Sequence, residues 1–390
     1  MALVAGLDFS SLPQQLVNGL LLGSVYALIA LGYTMVYGVL RLINFAHGEV
    51  FMLGSYTALF TSWALGFTPE AVKGVDKPSS WVILLIMLLA SMVVCGLIGV
   101  MVEFLAYRPM RKQPRIASLI TAIGVSLFFQ YAGGLFLPQS PPPAISEKVN
   151  PFRDDKVTLT FKGPDKEVMD AVKAAKDKAK TAQSDYNAAK SSGADADKLE
   201  GLRESSQELQ NAASRLEIDA SSKSVGVIIG YGQLGMLITT IVLMAILWFV
   251  VQKTKTGRAM RAVAHDFDSA ALMGVNVGRI ITLTFMIGSA LAGAGAMMYA
   301  TVLRTPISPF LGVAPGVKAF VAAVLGGIGN IPGAVLGGIL MGIVETVVVW
   351  MDSLIPGLSG YKDAVAFVVL IAVLLFRPGG LLGSSKVEKV

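Results

Sequence analysis

Long apolar stretches separated by polar segments dominate the chain and predict a set of membrane-spanning helices. A helix needs roughly 17–25 apolar residues to cross the hydrocarbon core of a bilayer. We predict eight spans, at 14–37, 50–67, 81–102, 116–137, 227–251, 280–303, 331–351 and 361–377. An additional apolar segment, 316–325, has half that length and predicts a half-helix or re-entrant segment. The expected fold class is therefore all-α, a polytopic membrane protein.

A different pattern occupies 140–225, where apolar residues recur at alternating spacings of three and four. The first set is Val168, Val172, Ala175, Ala179, Ala182, Tyr186 and Ala189, and the second is Leu199, Leu202, Ser206, Leu209, Ala213 and Leu216. Such spacings are typical of heptad seams, and a short turn at 191–195 separates the two sets. We predict an extramembrane, coiled-coil-like helical hairpin, with a disordered low-complexity loop as the alternative.

Basic residues in two short loops predict the orientation of the spans. The loops 106–115 and 252–261 are rich in Lys and Arg, and such loops stay on the cytoplasmic side of a membrane. Two predicted spans lie between these loops, which places the hairpin on the opposite, periplasmic side. The predicted domains are a first part of the transmembrane bundle (1–139), the hairpin insert (140–225) and a second part of the bundle (226–390).

Composition agrees with a membrane protein and narrows its chemistry. The chain is 54% hydrophobic, far above a soluble domain of this length. Its single cysteine, Cys95, excludes an intrachain disulfide. The net charge of +6 is concentrated in the two basic loops, which is typical of a cytoplasmic membrane face and not of a nucleic-acid-binding surface.

The motifs of common enzyme and cofactor sites are missing from the sequence. No Gly-x-x-x-x-Gly-Lys-Ser/Thr loop occurs, so ATP binding by that route is excluded. The pair His47 and Glu49 supplies only two ligands, too few for a metal site. No nucleophile–base constellation is present. We therefore expect a non-catalytic protein without cofactor or metal.

Two interruptions of the apolar pattern are candidates for a substrate pathway. They are 41–49 and 326–333, and irregular backbone at membrane depth is tolerated where it lines an aqueous cavity. In each case a plain loop between two helices is the alternative. The candidate pathway residues are Asn44, His47, Glu49, Asn330, Pro332 and Glu345. For Glu345, an ion pair with a basic residue on a neighbouring helix is the other interpretation, and the one that we favour.

Three longer motifs resemble one family of transporters. They are Tyr33-Thr-Met-Val-Tyr-Gly with Ile43-Asn-Phe-Ala-His-Gly-Glu, the run 318–333, and the ending Arg377-Pro-Gly-Gly-Leu-Leu-Gly. These motifs are similar to those of branched-chain amino-acid ABC importer permeases of the LivH type. The resemblance covers roughly 12–137 and 226–390, and it says nothing about the hairpin.

The resemblance implies partners and a coupling surface. A homologous second permease, two cytoplasmic ABC ATPases and a periplasmic substrate-binding protein would complete the importer. Within the cytoplasmic loop 252–279, the run 268–274 is similar to the Ala-Ala-x-x-Gly core of the family's coupling loop, with Ser269 in place of the usual Glu. The candidate coupling residues are Arg258, Arg261, Asp266, Asp268, Ala270, Ala271 and Gly274. The charged members are expected to fix the register of this helix through ion pairs. An ordinary surface helix is the alternative.

The function that the resemblance implies is ATP-driven import of leucine, isoleucine and valine across a bacterial inner membrane. A urea or short-amide ABC permease is one alternative, and a stand-alone secondary transporter or channel is another. The hairpin is either a docking arm for the binding protein or a passive spacer. The preferred amino acid and the helix faces that meet the second permease do not follow from the sequence.

Overall fold

A computed structural model of the chain describes residues 11–67, 80–111, 113–139, 156–162, 166–191, 195–222, 225–303, 305–377 and 379–383. The helices are α1 (Leu12–Leu40), α2 (His47–Ala64), α3 (Ser80–Val102), α4 (Arg108–Met110), α5 (Arg115–Phe136), α6 (Lys166–Ser191), α7 (Ala196–Ser222), α8 (Tyr231–Lys253), α9 (Lys255–His265), α10 (Phe267–Leu272), α11 (Val277–Thr301), α12 (Val313–Gly326), α13 (Ile331–Trp350) and α14 (Lys362–Phe376). Two strands, β1 (Lys156–Lys162) and β2 (Val225–Gly230), pair in a small sheet. A π-helical turn, Glu103–Tyr107, joins α3 to α4.

Seven helical segments in the described part of the chain are long and apolar enough to cross a membrane. They are Leu12–Leu40, Trp81–Met110, Ile116–Phe136, Tyr231–Lys253, Val277–Thr301, Ile331–Ser353 and Leu358–Phe376. These segments confirm the predicted all-α polytopic fold. The remaining predicted span, 50–67, is α2, which has 18 residues and is more polar than the seven because it carries His47, Glu49 and several hydroxyl side chains. Most of its side chains are buried inside the protein, so α2 needs no apolar surface toward lipid.

The half-length segment predicted at 316–325 forms α12. Its 14 residues span about 21 Å, too short to cross a hydrocarbon core of about 30 Å alone. Its last turn accepts hydrogen bonds from the Leu381 and Leu382 nitrogens, and the following loop lies beside Arg261 and Gly383. α12 therefore ends at the same end of the bundle as α9 and the last described residues of the chain.

Glycines bring the bundle helices into backbone contact. A Cβ atom on Gly342 of α13 would lie 2.2 Å from the Gly23 nitrogen of α1, and one on Gly338 would lie 2.5 Å from the Ala27 Cα. Small residues allow such close approach in lipid, where dispersion contacts replace the hydrophobic driving force. These small-residue stripes serve packing within the chain.

The two helices of the insert pack along the seam that the heptad pattern predicted. Val172 and Ala179 of α6 and Ala213 of α7 are buried. Between the helices, the Gln183 side-chain oxygen accepts hydrogen bonds from Ser206 Oγ and Gln210 Nε2, both at 2.9 Å. Burying these positions offsets the entropy of ordering two polar helices, which favours the hairpin over a disordered loop. Its periplasmic location and the predicted domain boundaries remain predictions.

The two strands that flank this hairpin were not predicted from the sequence. β2 occupies the start of the predicted span 227–251, so α8 begins only at Tyr231. An apolar run such as Val-Gly-Val-Ile-Ile suits a strand as well as a helix, and β-branched residues favour the strand. The side-chain amide of Gln14 donates to the Ile228 carbonyl oxygen at 3.1 Å and accepts from the Ile228 nitrogen at 2.7 Å.

Candidate translocation site and coupling surface

The amino-terminal ends of α2 and of the half-length helix α12 meet inside the bundle. A Cβ atom on Gly48 would lie 2.7 Å from the Gly312 carbonyl oxygen, and one on Gly316 would lie 2.8 Å from the Gly48 Cα. Only glycine permits this approach, because any larger residue would collide with the facing backbone. Helix amino termini carry unsatisfied N–H groups and a partial positive charge. The contact therefore places two such termini together at an interface between helices.

Glu49 lies in the first turn of α2, at this junction, and is only 2% exposed. Its Oε1 atom accepts hydrogen bonds from Gln130 Nε2 at 3.1 Å and from Ser126 Oγ at 3.4 Å, both on α5. Its Oε2 atom lies against Gly312 and has no hydrogen-bond partner among the described residues. Buried carboxylate oxygens are normally paired, so this one has unused capacity to accept a donor.

A cavity of about 340 Å³ adjoins Glu49. It lies between α2, α5, α12 and α14, and most of its wall is apolar, including Ile123, Leu127, Phe320 and Leu370. Small-molecule pockets typically occupy about 300–1,000 Å³ and combine apolar walls with a few polar groups. The cavity therefore has the size and composition of a site for a small, mainly apolar ligand.

Asn44 and His47 are buried at the start of α2. The Tyr107 hydroxyl, from the π-helical turn, donates to Asn44 Oδ1 at 3.0 Å. The His47 ring packs edge-on against the Tyr33 ring, with centroids 4.7 Å apart. A Cβ atom on Gly32 would lie 2.3 Å from His47 Nε2, so the imidazole fits only because position 32 is glycine. Both side chains thus hold the irregular segment before α2 in place.

Glu345 on α13 is fully engaged in a buried charge network. Its Oε1 atom lies 2.8 Å from Lys318 Nζ on α12 and 3.6 Å from Lys362 Nζ, and its Oε2 atom accepts from the Tyr26 hydroxyl at 2.7 Å. Lys318 also pairs with Asp363 on α14 at 2.6 Å. The network ties α1, α12, α13 and α14 together, as the ion-pair interpretation of Glu345 predicted. A role for Glu345 in the pathway remains an untested prediction.

Asn330 and Pro332 lie away from Glu49, in the loop between α12 and α13. The Asn330 side chain caps α13 by accepting from the Gly333 nitrogen at 3.2 Å, and it donates to the Leu382 carbonyl oxygen at 2.7 Å. Both residues line a second cavity of about 750 Å³, together with Arg41 and Arg261. The structure therefore groups them with the coupling segment, not with the α2 end of the predicted pathway.

The two basic loops whose charge predicted the orientation lie at one end of the bundle. Arg41 and Arg111 line a third cavity, of about 310 Å³, together with His265 and Phe267, and Arg41 also lines the second cavity with Arg261 of the other loop. Glu103 holds the first loop in place by pairing with Arg111 and accepting from Thr282 Oγ1 at 2.7 Å. The shared location agrees with the orientation that the charge pattern predicts.

The predicted coupling segment forms two short helices, α9 and α10. Asp266 caps α10, because its Oδ1 atom accepts from the Asp268 and Ser269 nitrogens at 2.8 and 2.9 Å. The backbone N–H groups, Ser269 foremost, hold the pKa of Asp266 below its ordinary value. Arg261 donates to the Val251 carbonyl oxygen, which fixes α9 against the end of α8. The roles of these two side chains within the chain are therefore capping and anchoring.

An apolar tip lies at the end of α10. Leu272 and Met273 are 88% and 85% exposed, and Gly274 then turns the chain with a φ of +82°. Ala270 faces inward and is buried, whereas Ala271 is exposed. Arg258 and Asp268 are exposed on the same segment. Large apolar side chains with this exposure on a polar loop are typical of a surface that a partner covers.

Several residues of the cavity beside Glu49 were not predicted from the sequence. Gly312 and Gly316 at the start of α12, and Ser126 and Gln130 on α5, were not among the candidates. One signal was available: Pro306 and Pro309 interrupt the apolar pattern before α12, and Pro315 lies in its first turn, much as 41–49 interrupts the pattern at the start of α2.

Comparison with known proteins identifies the family. The family described as "Branched-chain amino acid transport system / permease component" matches residues 15–374. The chain is 38% identical to the high-affinity branched-chain amino acid transport system permease protein BraD of Pseudomonas aeruginosa, over 97% of each chain. It is 35% and 34% identical to the LivH proteins of Salmonella typhimurium and Escherichia coli, again over 97% of each chain. No solved structure matches it. The chain belongs to the permease components of branched-chain amino acid transport systems.

Proposed function

We propose that this chain is a membrane subunit of an ATP-driven importer that moves leucine, isoleucine and valine into the cytoplasm. The observation that carries the proposal is the match, along 97% of the chain, to permeases named for branched-chain amino acid transport. The apolar cavity beside Glu49 supports it, because an aliphatic side chain needs apolar walls. Urea has no such group to bury, so the cavity favours amino acids over the urea alternative.

The partners in this proposal are a homologous second permease, two cytoplasmic ABC ATPases and a periplasmic substrate-binding protein, in a bacterial inner membrane. ATP hydrolysis takes place on the ATPases, and this chain is not catalytic. The exposed tip at Leu272 and Met273 supports a contact with an ATPase, because a short apolar projection fits a groove on a partner. A stand-alone transporter would have no use for it.

For the substrate pathway, we propose the junction of α2 and α12. The predicted residues Asn44, His47 and Glu49 all lie at the start of α2. Discontinuous helices whose amino termini meet inside the bundle are a recurrent way to build a transport site. Movement of α9 and α10 with the ATPases would change access to this junction by shifting the helices packed on it.

Uptake in proteoliposomes tests the proposal. The chain is reconstituted with its partner permease, ATPases and binding protein, and labelled leucine is competed with isoleucine, valine or urea, with and without internal ATP. We expect ATP-dependent leucine uptake that isoleucine and valine block and urea does not. Block by urea would move the chain to the urea permeases, and uptake without ATP would contradict the coupling surface.

A further inference from the structure

We propose that the cavity between α2, α5, α12 and α14 binds the ammonium group and the aliphatic side chain of the transported amino acid, with Glu49 as the ammonium acceptor. This inference rests on the proposed function and adds to it a chemical role for Glu49 and a binding geometry. Its basis is the coincidence of one incompletely bonded carboxylate with an otherwise apolar wall.

The buried Glu49 carboxylate has one oxygen without a partner among the described residues. Burying a charged group is costly unless opposite charge and hydrogen bonds compensate it. For Glu49, the amide of Gln130 and the hydroxyl of Ser126 satisfy Oε1 but leave Oε2 without a partner in the described part of the chain. Gln130 and Ser126 are neutral, so neither supplies a counter-charge. A primary ammonium group would supply both the charge and the hydrogen-bond donors.

Two other buried carboxylates, Glu345 and Glu103, have cationic partners within the chain. Glu345 has two lysines and a tyrosine hydroxyl, and Glu103 has Arg111 and Thr282. The chain therefore pairs two of its membrane-buried glutamates internally with cations. Glu49 faces a cavity instead, so a cation that arrives with a ligand takes the place of the missing side-chain partner.

The apolar wall of the cavity suits the aliphatic part of the ligand. Ile123, Leu127, Phe320 and Leu370 line the same cavity, so a ligand whose ammonium group meets Glu49 would lie against apolar surface. A branched aliphatic chain matches that surface because its burial is favourable and it leaves no polar atom unpaired. Polar amino acids and urea would leave hydrogen-bonding groups unsatisfied there.

Cysteine protection tests the inference in the complete transporter. Val317, which lines the cavity, is changed to cysteine, and the rate of maleimide labelling is measured in the assembled complex with and without ligand; Leu127→Cys is a second reporter. The native Cys95 is buried, and the unmodified chain gives the background. The ligands are leucine, 3-methylbutylamine (no carboxylate), 4-methylpentanoate (no ammonium) and urea.

We expect leucine and 3-methylbutylamine to slow labelling, and 4-methylpentanoate and urea to leave it unchanged. Glu49→Gln should raise the leucine concentration needed for protection by about ten-fold or more, the range expected for one charge-assisted hydrogen bond. Glu208→Gln is the matched control: it makes the same substitution at an exposed glutamate of α7, outside the cavity, so protection by the amine should persist.

Equal protection by 4-methylpentanoate and by the amine, or protection unchanged in Glu49→Gln, would overturn the inference. Uptake by the same preparations separates this failure from failure of the proposed function. ATP-driven leucine uptake by the wild type, with protection independent of Glu49, contradicts only the ammonium site. Absence of that uptake in the wild type contradicts the proposed function itself.

Discussion

Two buried glutamates, Glu345 and Glu49, show two different uses of a carboxylate inside a membrane protein. Glu345 binds Lys318 at 2.8 Å and the Tyr26 hydroxyl at 2.7 Å, so both of its oxygens are occupied. Glu49 has one oxygen bonded to α5 and the other directed into the α2–α12 junction without a partner in the described chain. The first carboxylate joins helices together. The second keeps one oxygen without a hydrogen-bond partner among the described residues, and it is the proposed acceptor of a ligand's ammonium group.

The largest expected effect comes from breaking the Glu345 network. Lys318→Met leaves Glu345 buried beside the more exposed Lys362, and removing one partner of a buried ion pair typically costs about 3–5 kcal/mol. We expect the thermal midpoint of the purified permease to fall by many degrees. The double variant Lys318→Met/Glu345→Gln should recover part of the loss. A midpoint unchanged in the single variant would show that the network does not stabilise the fold.

A smaller effect is expected from two glycines, one near the Glu345 network and one at the α2–α12 junction beside Glu49. Gly338→Ala would push α13 from α1 next to Tyr26, and Gly312→Ala would push α12 from α2, where the Gly48 oxygen lies 2.2 Å from the new Cβ position. Overpacking of this kind costs about 1–3 kcal/mol. Gly338→Ala should mainly lower stability, whereas Gly312→Ala should also lower leucine uptake per folded complex.

Gly124→Ala on α5 is the control for both glycine variants, because a Cβ atom there meets nothing within 4 Å. Alanine is the better helix former by about 1 kcal/mol, so this variant should be neutral or slightly more stable. If it destabilised the permease as much as Gly338→Ala, the close contacts would not explain the effect.

Glu49→Gln should change stability little, by less than about 1 kcal/mol, because an amide keeps the acceptor for Gln130 and removes an incompletely bonded charge. Thermal melting of the purified permease measures this. A loss as large as that of Lys318→Met would mean that Oε2 has a structural partner after all, and the contrast between the two glutamates would disappear.

The smallest effect is expected at Asp266, which belongs neither to the Glu345 network nor to the α2–α12 junction. Because backbone N–H groups lower its pKa in the folded chain, its capping contribution is full above the ordinary carboxyl pKa and is lost as the pH falls through the lowered value. Near neutral pH, Asp266→Ala should speed hydrogen exchange of the Ser269 amide, and Asp266→Asn, which keeps an acceptor, should do so less. Neither should alter the melting of the bundle. Equal exchange in all three proteins would show that the cap is not formed.

Much of the fold was predictable because long apolar runs identify membrane-spanning helices. The hairpin was predictable because the seam from Val172 to Ala213 follows heptad spacing. β2 was not, since a short apolar run before α8 has no period that separates strand from helix. The charge of Glu345 marked it as unusual, but nothing in its local sequence identified Lys318, 27 residues earlier, as its partner.

The candidate site was predictable only in part. The interruption at 41–49 pointed to Glu49, yet its partners Ser126 and Gln130 lie on α5, more than 70 residues away. Asn330 was selected because it interrupts an apolar run, and the structure shows that it caps α13 near Arg261. An interruption thus marks irregular backbone, but only the packing of helices decides which interruptions meet.

The most direct test compares Glu49→Gln with Glu345→Gln in one preparation, measuring the thermal midpoint and ATP-driven leucine uptake per assembled complex. We expect Glu49→Gln to keep the midpoint and to lose most of the uptake. We expect Glu345→Gln to lower the midpoint, while complexes that still assemble transport at close to the wild-type rate. A lower midpoint with unchanged uptake in Glu49→Gln would show that Glu49 stabilises the fold and does not bind the substrate.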